Sequence, residues 1–276
     1  MSGADLPLAC SVRGCTLPLT RHDRTFICGA GHSYDIARSG YVNLLQPQDR
    51  RSRVAGDPRS AVDARESLLA AGVGRTLIEA IATRVSALEL GAAPVIVDLG
   101  CGSGDALDAV TETRTGIGID LSTIAIDRAA RRFPRRTWIV ANADRRLPLL
   151  DHRVDLVMSI NGRRNPTEAA RILGTGGFHL VVVPAADDLI ELRELVQGTR
   201  LERERAESVL DAHGPLFQVV ERAVVREARE LDRTALLNVL KGTYRGIRRG
   251  FADRVATLAG MQVTLASEIL LLRVKR

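Results

Sequence analysis

Aromatic residues are scarce in this 276-residue chain, at 3% of its composition, so few flat side chains are available to stack on nucleic-acid bases. No apolar run is long enough to cross a membrane, and the N-terminus lacks the basic and then apolar stretch of a secretory signal. These absences exclude a membrane-spanning class of protein. We therefore expect a cytoplasmic protein with no membrane partner.

Positive charge is in modest excess. The formal net charge is +6, and most of the positive charge comes from arginine, whose planar guanidinium binds phosphate through two hydrogen bonds. This balance favours a polyanionic partner, although many soluble proteins are mildly basic. Hydrophobic residues make up 45% of the chain, which is enough for one large domain and a small additional module.

Cysteine is also rare, and three of the four cysteines lie within the first 28 residues. They form the pattern C-x4-C followed by C-x3-H, with Cys10, Cys15, Cys28 and His32 at its ends. Three thiolates and one imidazole at this spacing are the ligands of a tetrahedral zinc site. A segment this short cannot build its own core, so a metal would explain how it folds. We predict a zinc-binding module over residues 1–45; the alternative is free cysteines near a chance histidine, and His22 is expected to be solvated.

Residues 46–93 are predicted to form a linker and two helices that cover the main domain. The linker is polar and contains Arg50, Arg51 and Arg53, which form either a solvated connector or a basic strip that contacts RNA phosphates. Apolar residues at helical spacing predict helices over 61–71 and 75–88.

The main domain is predicted to cover residues 94–276. Residues 95–99 form a short β-branched run typical of a buried strand, and glycines follow at positions 100, 102 and 104 before a helical segment. Glycine lets the backbone approach a ligand closely, and a helix N-terminus offers unpaired N–H groups. This layout is typical of a nucleotide-binding loop.

Acidic residues lie at or just past the ends of three predicted strands of this domain, at Asp98, Asp120 and Asp144. Strand and helix patterns alternate at 94–99, 105–113, 115–120, 122–133, 137–141, 154–160, 166–173 and 178–183. Such alternation predicts a parallel sheet with helices on both faces and ligands beyond the carboxyl ends of its strands. Asp120, about twenty residues after Asp98, is well placed to accept hydrogen bonds from two ribose hydroxyls. The alternative is solvated acids at the ends of buried strands.

The G-x-G-x-G loop and the acids that follow it resemble the motifs of class I methyltransferases that use S-adenosylmethionine. The resemblance implies an α/β, Rossmann-like fold with a mostly parallel seven-stranded sheet. In that family the loop surrounds the amino-acid end of the cofactor, and the third acid accepts from the adenine amino group. The implied cofactor-binding residues are Asp98, Gly100, Gly102, Ser103, Gly104, Asp120, Leu121, Ala143, Asp144 and Asp188. For Asp187 and Asp188, a helix N-cap is an equally good interpretation.

The run at residues 33–45, S-Y-D-I-A-R-S-G-Y-V-N-L-L, follows the cysteine and histidine knuckles directly. Together they resemble the bacterial guanine-N1 methyltransferases of large-subunit rRNA, some of which confer macrolide resistance. The resemblance covers essentially the whole chain and fades after about residue 200. It implies zinc and S-adenosylmethionine as cofactors and 23S rRNA as the partner, with guanine N1 as the first choice of methylated atom.

The sequence departs from that family at two places. After the fourth strand it has Asn161 and Gly162 followed by Arg163 and Arg164, where the relatives usually have an apolar or aromatic residue and Ala-Pro. A guanidinium can stack on a base in place of an aromatic ring, so we predict that Asn161, Arg163 and Arg164 form the catalytic turn. A later aromatic segment is replaced by a basic one, in which Tyr244, Arg245, Arg248 and Arg249 could hold phosphates.

Several alternatives stay open from the sequence. A small-molecule methyltransferase and a non-catalytic relative that binds cofactor or RNA are the rival functions. Arginines on the helix at 122–133 form either a solvated face or an RNA contact, and His179 is expected to be structural. Residues 201–213 and 232–240 are predicted helical and 216–226 and 262–275 strand-like. The oligomeric state is open, with a homodimer as one option.

Overall fold

The computed structural model of the protein describes residues 6–46, 56–198, 200–243 and 251–275. The basic strip at Arg50, Arg51 and Arg53 lies outside the described residues. The basic segment with Tyr244, Arg245, Arg248 and Arg249 lies outside them as well.

The N-terminal module contains a three-stranded antiparallel sheet and one further short strand. The strands are β1 (Leu19–His22), β2 (Thr25–Cys28), β3 (Ser33–Asp35) and β4 (Val42–Asn43). Glycines lie in the turns after β2 and after β3, and His22 is exposed on β1, as expected for a residue that is not a metal ligand.

Two helices follow, α1 (Arg59–Ala70) and α2 (Arg75–Ser86), close to the predicted spans. Both bury their apolar stripes. Ala61, Val62, Ala64 and Leu68 of α1 are buried, as are Ile81 and Val85 of α2. This burial is what holds the helices on the main domain.

The main domain alternates strands and helices as predicted. Its strands are β5 (Val95–Leu99), β6 (Thr115–Asp120), β7 (Thr137–Val140), β8 (Val154–Ile160), β9 (Leu173–Pro184), β10 (Phe217–Asp232) and β11 (Gly260–Val274). Its helices are α3 (Asp105–Thr111), α4 (Thr123–Arg132), α5 (Pro166–Ile172), α6 (Ile190–Gln197), α7 (Ala206–His213), α8 (Arg233–Thr243) and α9 (Phe251–Ala256).

The large sheet has the strand order β10-β11-β9-β8-β5-β6-β7-β4. Strands β4 to β9 pair in parallel within it, whereas β11 is antiparallel to β9 and to β10. Seven of these strands form the predicted class I sheet. The eighth is β4, which comes from the N-terminal module and pairs with the edge of β7. A short added strand satisfies backbone groups that a free sheet edge would leave unpaired.

The N-terminal module shares the hydrophobic core of the main domain. Leu8, Phe26, Val42 and Leu44 pack in one buried cluster with Ile139 and its neighbours on the sheet. The module therefore gains apolar burial from the domain in addition to whatever a metal contributes.

The C-terminal third extends further than the sequence pattern indicated. Strand β9 begins at Leu173 and has a register shift, β10 continues to Asp232, and α6 and α9 were not predicted. Most residues of β10 alternate between exposed and half-buried on its free edge, so the strand lacks the continuous apolar run of a fully buried strand.

The arginines of α4 are held in ion pairs within the chain. Arg128 pairs with Asp63 and Glu66 of α1, and Arg132 pairs with Asp105 at 2.6 Å. These contacts favour the interpretation of α4 as an ion-paired, solvated helix face. Among the described residues, no helix is long and apolar enough to cross a membrane.

We predict that Gly118→Ala destabilises the fold by about 1–3 kcal/mol, because overpacking a filled core forces its neighbours to move. A Cβ at Gly118 would lie 2.3 Å from the buried Trp138 ring, which stands opposite on β7. Urea unfolding of the purified protein measures the change.

Gly91→Ala is the matched control, since a Cβ there meets nothing within 4 Å. It should shift the free energy of unfolding by less than about 0.5 kcal/mol. Equal effects of the two substitutions would contradict the packing argument.

Candidate active site

The predicted zinc ligands come together in the N-terminal module. One ligand atom from each of Cys10, Cys15, Cys28 and His32 lies within 4.8 Å of the others. The Sγ atoms of Cys15 and Cys28 are 3.8 Å apart, and Nδ1 of His32 is 3.4 Å from Sγ of Cys10 and of Cys28. With zinc–sulfur bonds of about 2.3 Å, two thiolates on a tetrahedral zinc are about 3.8 Å apart. The four residues therefore fit a Cys3His zinc site.

Backbone and side-chain groups around the cluster support thiolates. Burial opposes ionisation of Cys28, but N–H groups of Ala30 and His32 point to its sulfur, and the pKa of this thiol falls to about 6. The Tyr34 hydroxyl lies 3.1 Å from Sγ of Cys10. Tyr34 belongs to the 33–45 run, so part of that motif serves the metal ligands.

The glycine loop lies where β5 ends and α3 begins. Gly100 and Gly102 have φ values of +77° and +54°, in the left-handed region that suits glycine. Asp98 is only 2% exposed at the end of β5, and its Oδ1 has no hydrogen-bond partner among the described residues. Burial, and then the negative charge of Asp120, raise the pKa of Asp98 to about 7. A buried carboxylate without a partner is a natural site for a cationic ligand group.

Asp120 ends β6, and its side chain is held by two backbone groups. Oδ2 accepts from N–H of Gly102 at 3.0 Å, and Oδ1 accepts from N–H of Ser122 at 2.7 Å. Burial raises the pKa of Asp120, while these two hydrogen bonds lower it. The carboxylate is therefore fixed between the glycine loop and the backbone at Ser122. Leu121, the predicted cofactor contact, lies between Asp120 and Ser122 in the chain.

The loop after β7 carries the third predicted acid. Asp144 is exposed, and its Oδ2 lies 3.3 Å from Nη1 of Arg163 in the catalytic turn. The half-buried Asn142 accepts from N–H of Asp144 at 3.0 Å, and Nδ2 of Asn165 donates to the carbonyl of the buried Ala143 at 3.2 Å. This loop is therefore tied to the segment that follows β8.

The turn after β8 packs directly on the glycine loop. Asn161 adopts a left-handed conformation with φ of +50°. A Cβ at Gly162 would lie 2.8 Å from the carbonyl oxygen of Leu99, and one at Gly100 would lie 3.4 Å from the backbone nitrogen of Arg163. The structure thus brings the predicted catalytic turn against the predicted cofactor loop. Arg164 follows in the same turn; its side chain is partly desolvated, and this desolvation and then the charge of Arg205 lower its pKa.

Asp188 lies after β9, at the same edge of the sheet. Its Oδ1 accepts from N–H of Ala266 at 3.0 Å, and burial raises its pKa to about 6. The N-cap interpretation is wrong for both Asp187 and Asp188: helix α6 is capped at Leu189 without a side-chain bond, and Asp187 pairs with Arg226. Both aspartates find partners on the antiparallel strands β10 and β11. His179 is buried, and neither of its ring nitrogens has a hydrogen-bond partner in the described part of the chain, in agreement with its expected structural role.

These residues fit S-adenosylmethionine as the cofactor. The unpartnered oxygen of Asp98 suits a cationic group and Asp120 suits vicinal hydroxyls. The backbone at Gly102 is open toward the described residues, since a Cβ there would meet none of their atoms within 4 Å. The sequence pattern predicts no site role for Asn142 or Asn165. For Asn165 a signal is present, because an asparagine before proline at a helix start is typical of an N-cap.

Comparisons with known proteins agree with both parts of the site. A zinc-ribbon family model described as RlmA, N-terminal, matches residues 9–53, and a methyltransferase domain model matches residues 96–177. The 23S rRNA (guanine(748)-N(1))-methyltransferase of Streptomyces fradiae is 36% identical over 260 residues, which cover 91% of this chain and 92% of that protein. The chain belongs to the 23S rRNA (guanine-N1)-methyltransferase family.

Solved structures support the fold of this family member. A protein from Bacillus halodurans has a TM-score of 0.53 at 13% identity and covers 70% of this chain and 97% of its own. The YcgJ protein of Bacillus subtilis has a TM-score of 0.51 at 16% identity and covers 72% and 98%. At these identities the likeness concerns the class I methyltransferase fold alone. The protein is an S-adenosylmethionine-dependent methyltransferase with a zinc ribbon, as predicted.

We predict that the purified protein carries about one zinc ion per chain and that Cys28→Ala loses it, because the site then keeps only three ligands. Metal analysis after dialysis measures the ratio. His22→Ala, which removes an exposed histidine of the same module, should keep the metal. A zinc-free protein with an intact module would contradict the prediction.

We also predict that affinity for S-adenosylmethionine rises between pH 6 and pH 8. A cationic ligand group binds the ionised form of Asp98, and the pKa of about 7 means that binding at lower pH must first expel a proton. Below pH 7, each rise of one pH unit should lower the dissociation constant by up to about tenfold. Calorimetric titration across this range measures the slope.

Asp98→Asn should flatten that slope, because the amide does not titrate. Asp253→Asn, at an exposed position on α9, should leave it unchanged. A slope that persists in the Asp98 variant would assign the proton to another group, such as the amine of the ligand itself.

Proposed function

We propose that this protein transfers a methyl group from S-adenosylmethionine to N1 of a guanine in 23S rRNA. The observation that carries the proposal is the 36% identity to the Streptomyces fradiae enzyme, which extends over both the zinc ribbon and the catalytic domain. A ribosomal substrate would be met in the cytoplasm, in line with the predicted localisation. The homodimer option stays a prediction.

The cofactor-binding residues keep the roles predicted for them. Asp98 would hold the cationic amino-acid end, with Gly100, Gly102, Ser103 and Gly104 forming the loop around it. Asp120 would accept hydrogen bonds from the ribose, next to Leu121, and Ala143 and Asp144 would lie at the adenine. When bound, the cofactor supplies a methyl group that is already activated, so the protein mainly aligns the reacting atoms and excludes water.

The methyl-accepting base must leave its stack and enter the edge of the sheet where these loops meet. Arg163 and Arg164 would stack on this base or pair with it, since the chain offers few aromatic rings for that purpose. In the structure Arg163 already contacts Asp144, so its guanidinium reaches from the catalytic turn to the loop after β7.

Guanine N1 must lose a proton as the methyl group arrives. Asp188 is a proposed acceptor, because its pKa of about 6 leaves it ionised at neutral pH yet close enough to that range to take a proton. Asp188 also stays one of the predicted cofactor-binding residues. The side-chain carbonyl of Asn161, whose backbone is fixed by a hydrogen bond to Val182, is the second proposed acceptor.

We predict that the Arg163→Ala, Arg164→Ala double variant loses most methyl transfer to 23S rRNA fragments. Loss of one stacked base contact costs about 1–3 kcal/mol, so the single-turnover rate should fall by about fivefold to 150-fold. Tritiated cofactor measures the rate, and reverse transcription maps the site, because a methyl group at N1 blocks Watson–Crick pairing.

Arg75→Ala, an exposed arginine at the start of α2, is the control and should methylate at the rate of the unmodified protein. If the double variant methylates equally fast, the turn is not the base pocket. Turnover of a metabolite pool instead of rRNA would favour a small-molecule methyltransferase, and the absence of any turnover would favour a non-catalytic relative.

A further inference from the structure

Residues 56 and 57, which precede the predicted methyltransferase domain, lie directly on the loop that follows β6. Gly56 has a φ of +76°, and a Cβ on it would lie 2.7 Å from the backbone nitrogen of Ser122 and 2.9 Å from the carbonyl carbon of Leu121. Only glycine fits such a close approach of two backbones. The segment is therefore packed against the residues next to Asp120.

Ser122 connects this segment to the Asp120 carboxylate. Its hydroxyl donates to the carbonyl oxygen of Asp57 at 2.9 Å, and its backbone N–H donates to Oδ1 of Asp120 at 2.7 Å. The same hydroxyl also accepts from N–H of Ala125 as the N-cap of α4. The position of Ser122, and hence one of the two hydrogen bonds on Asp120, depends on the main chain of Asp57.

The charges around this contact are balanced by one arginine of α1. Arg65 forms an ion pair with the carboxylate of Asp57, and its Nη1 donates to the carbonyl oxygen of Gly242 in α8 at 3.1 Å. Asp57 and Asp120 are close enough to repel one another. The negative charge of Asp57 raises the pKa of Asp120 and the positive charge of Arg65 lowers it, in addition to the larger effects of burial and the two N–H groups.

Among the described residues, two further groups that face Asp120 bring no positive charge. They are Asp98 on β5, which repels it, and the buried thiol of Cys101 in the glycine loop. The positive charge of Arg65 acts in the opposite direction, since it lowers the pKa of Asp120.

We infer that Gly56, Asp57 and Arg65 are positioning residues that complete the cofactor site from outside the methyltransferase domain. The main chain of Gly56 and Asp57 fixes the loop at Leu121 and Ser122, and Arg65 neutralises Asp57 so that Asp120 keeps the charge needed to accept the ribose hydroxyls. The inference rests on the proposed role of Asp120 in binding the cofactor.

The decisive variant is Arg65→Gln, which removes the charge but keeps a donor for the carbonyl of Gly242. Calorimetric titration of the full-length, zinc-loaded protein with S-adenosylhomocysteine measures affinity without turnover. We expect affinity at pH 6.5 and at pH 8.5 to fall by about fivefold or more relative to the unmodified protein, because the charge of Asp57 is then left uncompensated beside Asp120. Steady-state methylation should show a raised KM for S-adenosylmethionine with kcat little changed.

Three further variants separate charge from shape. Arg65→Lys keeps the charge and should retain most of the affinity, and Arg59→Ala, at an exposed position of the same helix, should retain all of it. Adding Asp57→Asn to Arg65→Gln should restore much of the lost affinity, because the uncompensated charge beside Asp120 is removed while the main-chain contact to Ser122 stays. A merely structural role of Arg65 would make the double variant as weak as Arg65→Gln or weaker, and that result overturns the inference.

Asp120→Asn is the reference. If it weakens binding of S-adenosylhomocysteine while Arg65→Gln does not at either pH, the cofactor site stands and the inference about Arg65 is wrong. If Asp120→Asn itself leaves affinity unchanged, the proposed role of Asp120 fails, and the inference fails with it.

Discussion

Two carboxylates at neighbouring strand ends, Asp98 on β5 and Asp120 on β6, must be kept at one edge of the sheet although burial and mutual repulsion oppose their charge. Backbone N–H groups of Gly102 and Ser122 support Asp120, whereas Oδ1 of the buried Asp98 has no partner among the described residues. The local structure is therefore electrostatically incomplete. A ligand that brings a positive charge and hydroxyl donors completes it, which is the chemistry of S-adenosylmethionine.

Each loop around these carboxylates comes from a different strand, and each is fixed by contact with its neighbour. The turn after β8 lies on the backbone of Gly100, and Arg163 from that turn reaches Asp144 after β7. The segment at Gly56 lies on Ser122 after β6. Because the loops share contacts, substitutions in one are expected to couple with substitutions in the next.

The N-terminal ribbon and the catalytic domain are joined by more than a linker. The ribbon contributes β4 to the large sheet and apolar side chains such as Phe26 to its core, and Cys10 and Cys28 of its zinc site are buried in the same core. Small modules need such support, because too little of their surface is buried by their own residues. Metal binding and docking on the sheet are thus two sources of stability for one module.

The sequence by itself determined the zinc ligands, the alternation of β5 to β9 with their helices, and the placing of Asp98 and Asp120 at strand ends. These features follow from local spacing: knuckle geometry needs close cysteines, and buried parallel strands are short apolar runs. The sequence did not determine that β4 extends the sheet, that β10 reaches Asp232 or that Asp187 pairs with Arg226, since edge strands and ion pairs depend on partners distant in the chain. Only the tertiary structure brought Asp57 and Arg65 to the surroundings of Asp120, because these segments are more than fifty residues apart in sequence. Periodicity and motifs describe residues that are close in sequence, so they do not predict such a contact.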